Sequence, residues 1–132
     1  MEKWIEVFKA IIPNDTYTAE IKSDEEVGLI VNLESSRHVV KLDFGAVTAY
    51  RVIDEGVILQ GLFAELEVEE YKQGGFENKI YKIENGQFGQ SIKKMYGELY
   101  DILGCQHYLI ITLNYVIEIV SQWEPEIRGV SR

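Results

Sequence analysis

Residues 107–123 read His-Tyr-Leu-Ile-Ile-Thr-Leu-Asn-Tyr-Val-Ile-Glu-Ile-Val-Ser-Gln-Trp, the densest run of β-branched and aromatic side chains in the chain. Such side chains suit a pleated, half-buried surface, and the run is too short, and too polar at Asn114 and Glu118, to cross a membrane as a helix. Asn tolerates a left-handed backbone, so Asn114 near the midpoint predicts two antiparallel strands, 107–113 and 115–122, forming a hairpin at the centre of the fold.

Other periods surround this run. Trp4, Ile5, Phe8, Ile11 and Ile12 recur at helical spacing opposite Glu2, Lys3, Glu6 and Lys9, which predicts an amphipathic N-terminal helix stopped by Pro13 and Asn14. Tyr17, Ala19 and Ile21 alternate with polar neighbours as a strand with one wet face. A polar turn over 23–26 leads to strands at 28–33 and 38–44, joined by the short connection 34–37, and the meander continues through 46–53 as a strand, with a short helix on Val47, Tyr50 and Ile53 as the alternative. After a turn at Asp54-Glu55-Gly56, Ala64, Leu66 and Val68 alternate strictly with Glu65, Glu67 and Glu69, the pattern of a strand with an acidic solvated face. Gly74-Gly75 breaks it, residues 76–83 supply another strand, and Asn85-Gly86 marks a turn. A long helix over 91–103 follows, with Ile92, Met95, Tyr96, Leu99, Ile102 and Leu103 in one stripe, Ser91 as its cap and Gly104 as its end. Gly97 inside it would permit close packing on the sheet.

Together these elements predict an α+β fold: a mainly antiparallel, meander-like sheet of six to eight strands, covered by the N-terminal helix and the helix near 91–103. The absence of a βαβ alternation argues against a doubly wound nucleotide-binding sheet. At 132 residues, with few prolines and no low-complexity linker, the chain is expected to form a single domain over 1–132.

Charge changes the picture of partners. A formal net charge of -9 opposes nucleic-acid and anionic-membrane binding, so an associating partner should be a basic protein. Six of the acidic residues, Asp54, Glu55, Glu65, Glu67, Glu69 and Glu70, fall in residues 54–70, which hold no Lys or Arg, and they are the candidate partner-binding residues. A secretory signal is not evident and the single cysteine, Cys105, suits a reducing cytoplasm, where it reads as a plain buried or turn thiol.

Chemical motifs are sparse. Gly86-Gln-Phe-Gly89, followed by Ser91, Lys93 and Lys94, lacks the full spacing of a phosphate-cradling loop and reads better as a hairpin loop. His38 and His107 lack metal-ligand spacing, so no metal or cofactor is expected; they read as exposed strand-end imidazoles unless the sheet brings them together. Glu118, between Ile117 and Ile119, must face solvent, pair with a cation such as Arg51 or Lys41, or shift its pKa, and a wet sheet face is the simplest reading. Tyr50-Arg51 beside Asp54-Glu55 reads as a structural ion-pair cluster.

The block Phe44-Gly-Ala-Val-Thr-Ala-Tyr50-Arg51-Val-Ile-Asp54-Glu55, the acidic middle, and the closing His107-Tyr-x-x-x-Thr-x-Asn-x-Val-Ile-Glu118 block ending in Glu124-Pro125 resemble small proteins of Gram-positive bacteria, some of them similar to immunity proteins of polymorphic toxin systems. The resemblance implies a cytoplasmic α+β protein that neutralises a toxin by binding it. Two further functions remain open: a small-molecule-binding domain with an aromatic pocket between sheet and helix, and a small hydrolase-like enzyme using His107 and Glu118.

Overall fold

In the computed structural model, residues 2–54 and 79–131 are described. They form nine strands in two antiparallel sheets and two helices, an α+β arrangement. The five-stranded sheet has the order β1-β6-β7-β8-β5, from β1 (Lys3–Glu6), β6 (Ile80–Glu84), β7 (Gln106–Ile111), β8 (Tyr115–Ser121) and β5 (Ala49–Asp54). The four-stranded sheet has the order β2-β3-β4-β9, from β2 (Thr18–Asp24), β3 (Gly28–Glu34), β4 (His38–Gly45) and β9 (Glu126–Ser131).

The predicted hairpin is the middle of the larger sheet, with Ile110 opposite Ile117 and Leu109 opposite Glu118. Its unbroken hydrophobic run has a physical cause: both faces of β7 and β8 are covered. On one face Tyr108, Ile110, Ile117 and Ile119 meet Leu29, Val31, Leu33, Val40, Leu42 and Phe44 of the smaller sheet in one core. On the other, Leu109, Ile111 and Val116 join Trp4, Tyr81 and Ile83, while Val120 and Cys105 pack under a helix at Ile92. The turn differs from expectation. Asn114 has no positive φ; its side chain instead bridges to β2, accepting from the Ala19 amide at 2.9 Å and donating to the Ala19 carbonyl at 3.1 Å.

Of residues 46–53, those from 49 on form the strand β5, which pairs in register along β8, while 46–48 lie before it as a bend and the alternative short helix is not formed. The N-terminal helix is not formed. Residues 3–6 are β1, which places Trp4 opposite Ile83, and Phe8 has a left-handed φ of 58°, closing only one turn through the Ile12 amide to the Phe8 carbonyl. Five apolar residues over so short a window satisfy a helical period by chance, and an unpaired edge of β6 offers the backbone a ladder instead.

The predicted 91–103 helix is two helices: α1 (Gln87–Tyr96), which starts four residues earlier, and α2 (Glu98–Ile102). Gly97 separates them at φ 60° and ψ -134°, a conformation open essentially to glycine. A Cβ there would meet nothing within 4 Å, so this glycine serves the break and not close packing. Ser91 is not the cap; Gly86 holds that position, and the Ser91 hydroxyl donates to the Phe88 carbonyl. Of the predicted stripe only Ile92 is buried, while Met95 is 77% and Ile102 72% exposed. Among the described residues no helix is long and apolar enough to cross a membrane.

Candidate functional site

A side chain in mid-strand has only two directions to take, and on β8 both are covered. Glu118, expected on a wet face, is therefore fully buried, on the face that carries α1. A lone carboxylate in that place would be costly, and the neighbouring strands compensate it. Arg51, directly opposite on β5, donates from Nε to Glu118 Oε2. His107, diagonally across on β7, lies with Nε2 2.8 Å from Glu118 Oε1. A carboxylate held by Arg51 calls for a donor on its other oxygen, and the contact fits the tautomer with the proton on Nε2. Arg51 pairs with Glu118; of the expected cluster of Tyr50-Arg51 with Asp54-Glu55, Glu55 lies outside the described residues.

The first turn of α1 closes over this triad. The Arg51 guanidinium carbon lies 4.7 Å from the Phe88 ring centroid, and the Phe88 and His107 rings meet edge to face at 5.8 Å. A Cβ built on Gly89 would stand 2.9 Å from His107 Nδ1, and one on Gly86 would stand 2.6 Å from an Ile83 methyl and 3.0 Å from Nδ1. Gly86-Gln-Phe-Gly89 is therefore neither a phosphate cradle nor a hairpin loop: its glycines let a helix start sit directly on an imidazole. His107 is 2% exposed and not a strand-end surface residue. Its Nδ1 and Arg51 Nη2 are buried without a hydrogen-bond partner among the described residues. A small pocket of about 240 Å³ touches the ring edge between Gln90, Lys93, Tyr100 and Cys105. Burial, with the Cys105 thiol and Asp101 adding to it, raises the Tyr100 phenol above its ordinary pKa.

His38 lies in the other sheet and does not meet His107. Its Nδ1 is 2.9 Å from Asp15 Oδ2, the same oxygen that accepts from Ser35 Oγ at 2.5 Å. Hydrogen bonds from Ser35 and His38, then the Thr16 amide, hold the Asp15 carboxyl well below the usual carboxylate range. The Asp15 carboxylate stands between hydroxyl and imidazole, so the His38 ring does not hydrogen-bond the Ser35 hydroxyl, and the cluster ties residue 15 to the β3–β4 turn. Cys105 is buried, and its Sγ lies 3.8 Å from Thr48 Oγ1. Among the described residues no three His, Cys, Asp or Glu side chains group to hold a metal ion.

Of the candidate partner-binding residues, Asp54 ends β5 as an exposed side chain. Glu55, Glu65, Glu67, Glu69 and Glu70 lie outside the described residues, as do the predicted acidic strand and residues 76–78. The feature that sequence reasoning missed is the outer side of the helices. Met95, Leu99 and Ile102, with Tyr96 and Leu103 more than a third exposed, are turned to solvent on two consecutive helices. The stripe was legible; that it faces away from the sheet was not. No protein-family model, curated protein or solved structure matches the chain.

Proposed function

We propose that this chain is a non-catalytic protein-binding module that docks a basic protein on the apolar side of α1 and α2. The observation that carries the reading is the exposure of Met95, Leu99 and Ile102, at 77%, 52% and 72%, beside Tyr96 and Leu103. Soluble surfaces rarely leave large apolar side chains contiguous unless a partner covers them. Charge selects the partner. With a net charge of -9, two copies repel one another, whereas a basic protein is attracted. The acidic residues Asp54, Glu55, Glu65, Glu67, Glu69 and Glu70 act in this reading as the steering charges. The resemblance to immunity proteins gives the binding a particular form, neutralisation of a toxin in the cytoplasm.

The buried triad supports binding over catalysis. A general base must reach the proton it takes, and the unpartnered nitrogen of His107 stands against Gly86 and Gly89 in a residue only 2% exposed. Arg51, Glu118 and His107 then hold α1 on the sheet and so keep the docking face in place. The test is the pair Met95→Ser and Ile102→Ser, introduced together. Both positions are exposed, so stability should stay within about 0.5 kcal/mol while affinity for the purified partner falls at least tenfold. Unchanged affinity refutes the assignment of the face.

A further inference from the structure

The four-stranded sheet ends at β2, and the backbone of that edge is only half used. In an antiparallel strand, alternate residues turn both their N–H and C=O to the same side. The Asn114 side chain takes both groups of Ala19 from the side away from β3, so Ala19, Ile21 and Ser23 all point outward there. The β7–β8 turn occupies the first part of this row: the Leu113 amide donates to the Tyr17 carbonyl at 2.8 Å, and Asn114 follows at Ala19. The turn thus imitates a neighbouring strand for two steps and then departs. The outward N–H and C=O groups of Ile21 and Ser23 are left without a protein partner among the described residues.

Space runs along the same edge. A groove of about 570 Å³ lies between β2 and the larger sheet, with Ile21, Val52 and Tyr115 in its lining and Glu20 and Glu34 at its side. A second, of about 440 Å³, continues past Ser23 toward Thr48, Ala49 and Tyr50. Both open between β2 and β5, the two strands that terminate their sheets on this side. We propose that the β2 edge is a strand-addition site for an extended segment of a basic partner protein, one in which apolar residues alternate with Lys or Arg. Backbone pairing at Ile21 and Ser23 supplies the ladder, because an unpaired edge is a template for another chain. One set of the segment's side chains enters the groove over Ile21, Val52 and Tyr115. The other set meets Glu20 and Glu34, with the Asp24-Glu25-Glu26 turn beyond, and this acidic rim opposes a second copy of this chain as occupant. Lys22, held by Glu20 at 3.4 Å, is the one cation of the strand. The site is separate from the helical face and does not depend on it.

The experiment uses the full chain and a short synthetic peptide of alternating Val and Lys, followed by amide hydrogen exchange and NMR titration. The expected result is new protection at Ile21 and Ser23, binding that weakens with salt, and no binding of a control peptide in which Glu replaces each Lys. Ser23→Pro removes one outward N–H without touching the β2–β3 ladder, a change an edge strand accepts, and should weaken the peptide by about tenfold. A peptide N-methylated on alternate residues, which cannot form the ladder, tests the same point should the Pro variant fold poorly. Met95→Ser with Ile102→Ser should leave peptide binding unchanged. Protection elsewhere, no binding at millimolar peptide, equal binding of the methylated peptide, or self-association through the edge would each overturn the proposal.

Discussion

Gly89→Ala opposes a local gain to a tertiary loss. Within a helix Ala is favoured over Gly by about 1 kcal/mol, and Gly89 stands in the first turn of α1, so a reading of propensity alone predicts a more stable protein. The added methyl, however, would stand 2.9 Å from His107 Nδ1, 3.1 Å from its Cβ and 3.2 Å from its Cγ. The ring has no freedom to retreat, because Glu118 holds Nε2 at 2.8 Å and Phe88 stands against it. Overpacking of this kind costs about 1 to 3 kcal/mol, so once the propensity gain of about 1 kcal/mol is offset the net change should lie between about 0 and 2 kcal/mol of loss. Urea unfolding followed by circular dichroism measures it, with an unchanged slope expected. The same substitution in a His107→Ala background removes the obstacle, and there it should be neutral or stabilising. A Gly89→Ala protein more stable than wild type, or an equal effect in both backgrounds, would refute the close packing of α1 on the imidazole.

Ile111→Ala, in the buried β7, should cost about 2 to 5 kcal/mol by the same unfolding assay; a loss under about 0.5 kcal/mol would mean that the outer face of the hairpin is not packed. Asp15→Asn tests the second polar cluster by pH. Since the folded carboxyl titrates well below its unfolded value of about 3.9, its contribution is present above that value and is lost as pH falls through and below it. The variant should therefore show a flatter decline of stability below about pH 4, and an unaltered acid limb would count against the cluster. Replacing Glu65, Glu67 and Glu69 together by Gln should slow association with the partner and flatten its salt dependence; identical rates and salt slopes would return these residues to a solubilising role.

The strands were legible where one signal sufficed. The alternation Ala19, Ile21 and the dense runs 28–33 and 107–123 correspond to β2, β3 and the β7–β8 hairpin within a residue or two. Failures occurred where a local pattern was decided by distant partners. Residues 3–6 carry helical spacing but become a strand because β6 pairs with them. Glu118 stands out between two isoleucines, but the sequence offers Arg51 and Lys41 equally as partners and a wet sheet face as the simplest reading, which its burial overturns. Its burial depends on α1 covering a sheet face whose other side is already closed, which no period within β8 encodes. The Gly86 and Gly89 pair was visible as a motif; its purpose, room for His107, requires knowing that the imidazole lies beneath. The helical stripe misled in the opposite sense, since apolar spacing reveals a face and not what covers it.

The most direct measurement of the proposed binding is hydrogen–deuterium exchange of the chain alone and in complex with its purified basic partner. The account predicts that protection gained on binding is concentrated in residues 93–103, the segment that carries Met95, Leu99 and Ile102, with the Met95→Ser and Ile102→Ser variant losing both the protection and the complex. A complex that forms while residues 93–103 exchange as fast as in the free chain would contradict it.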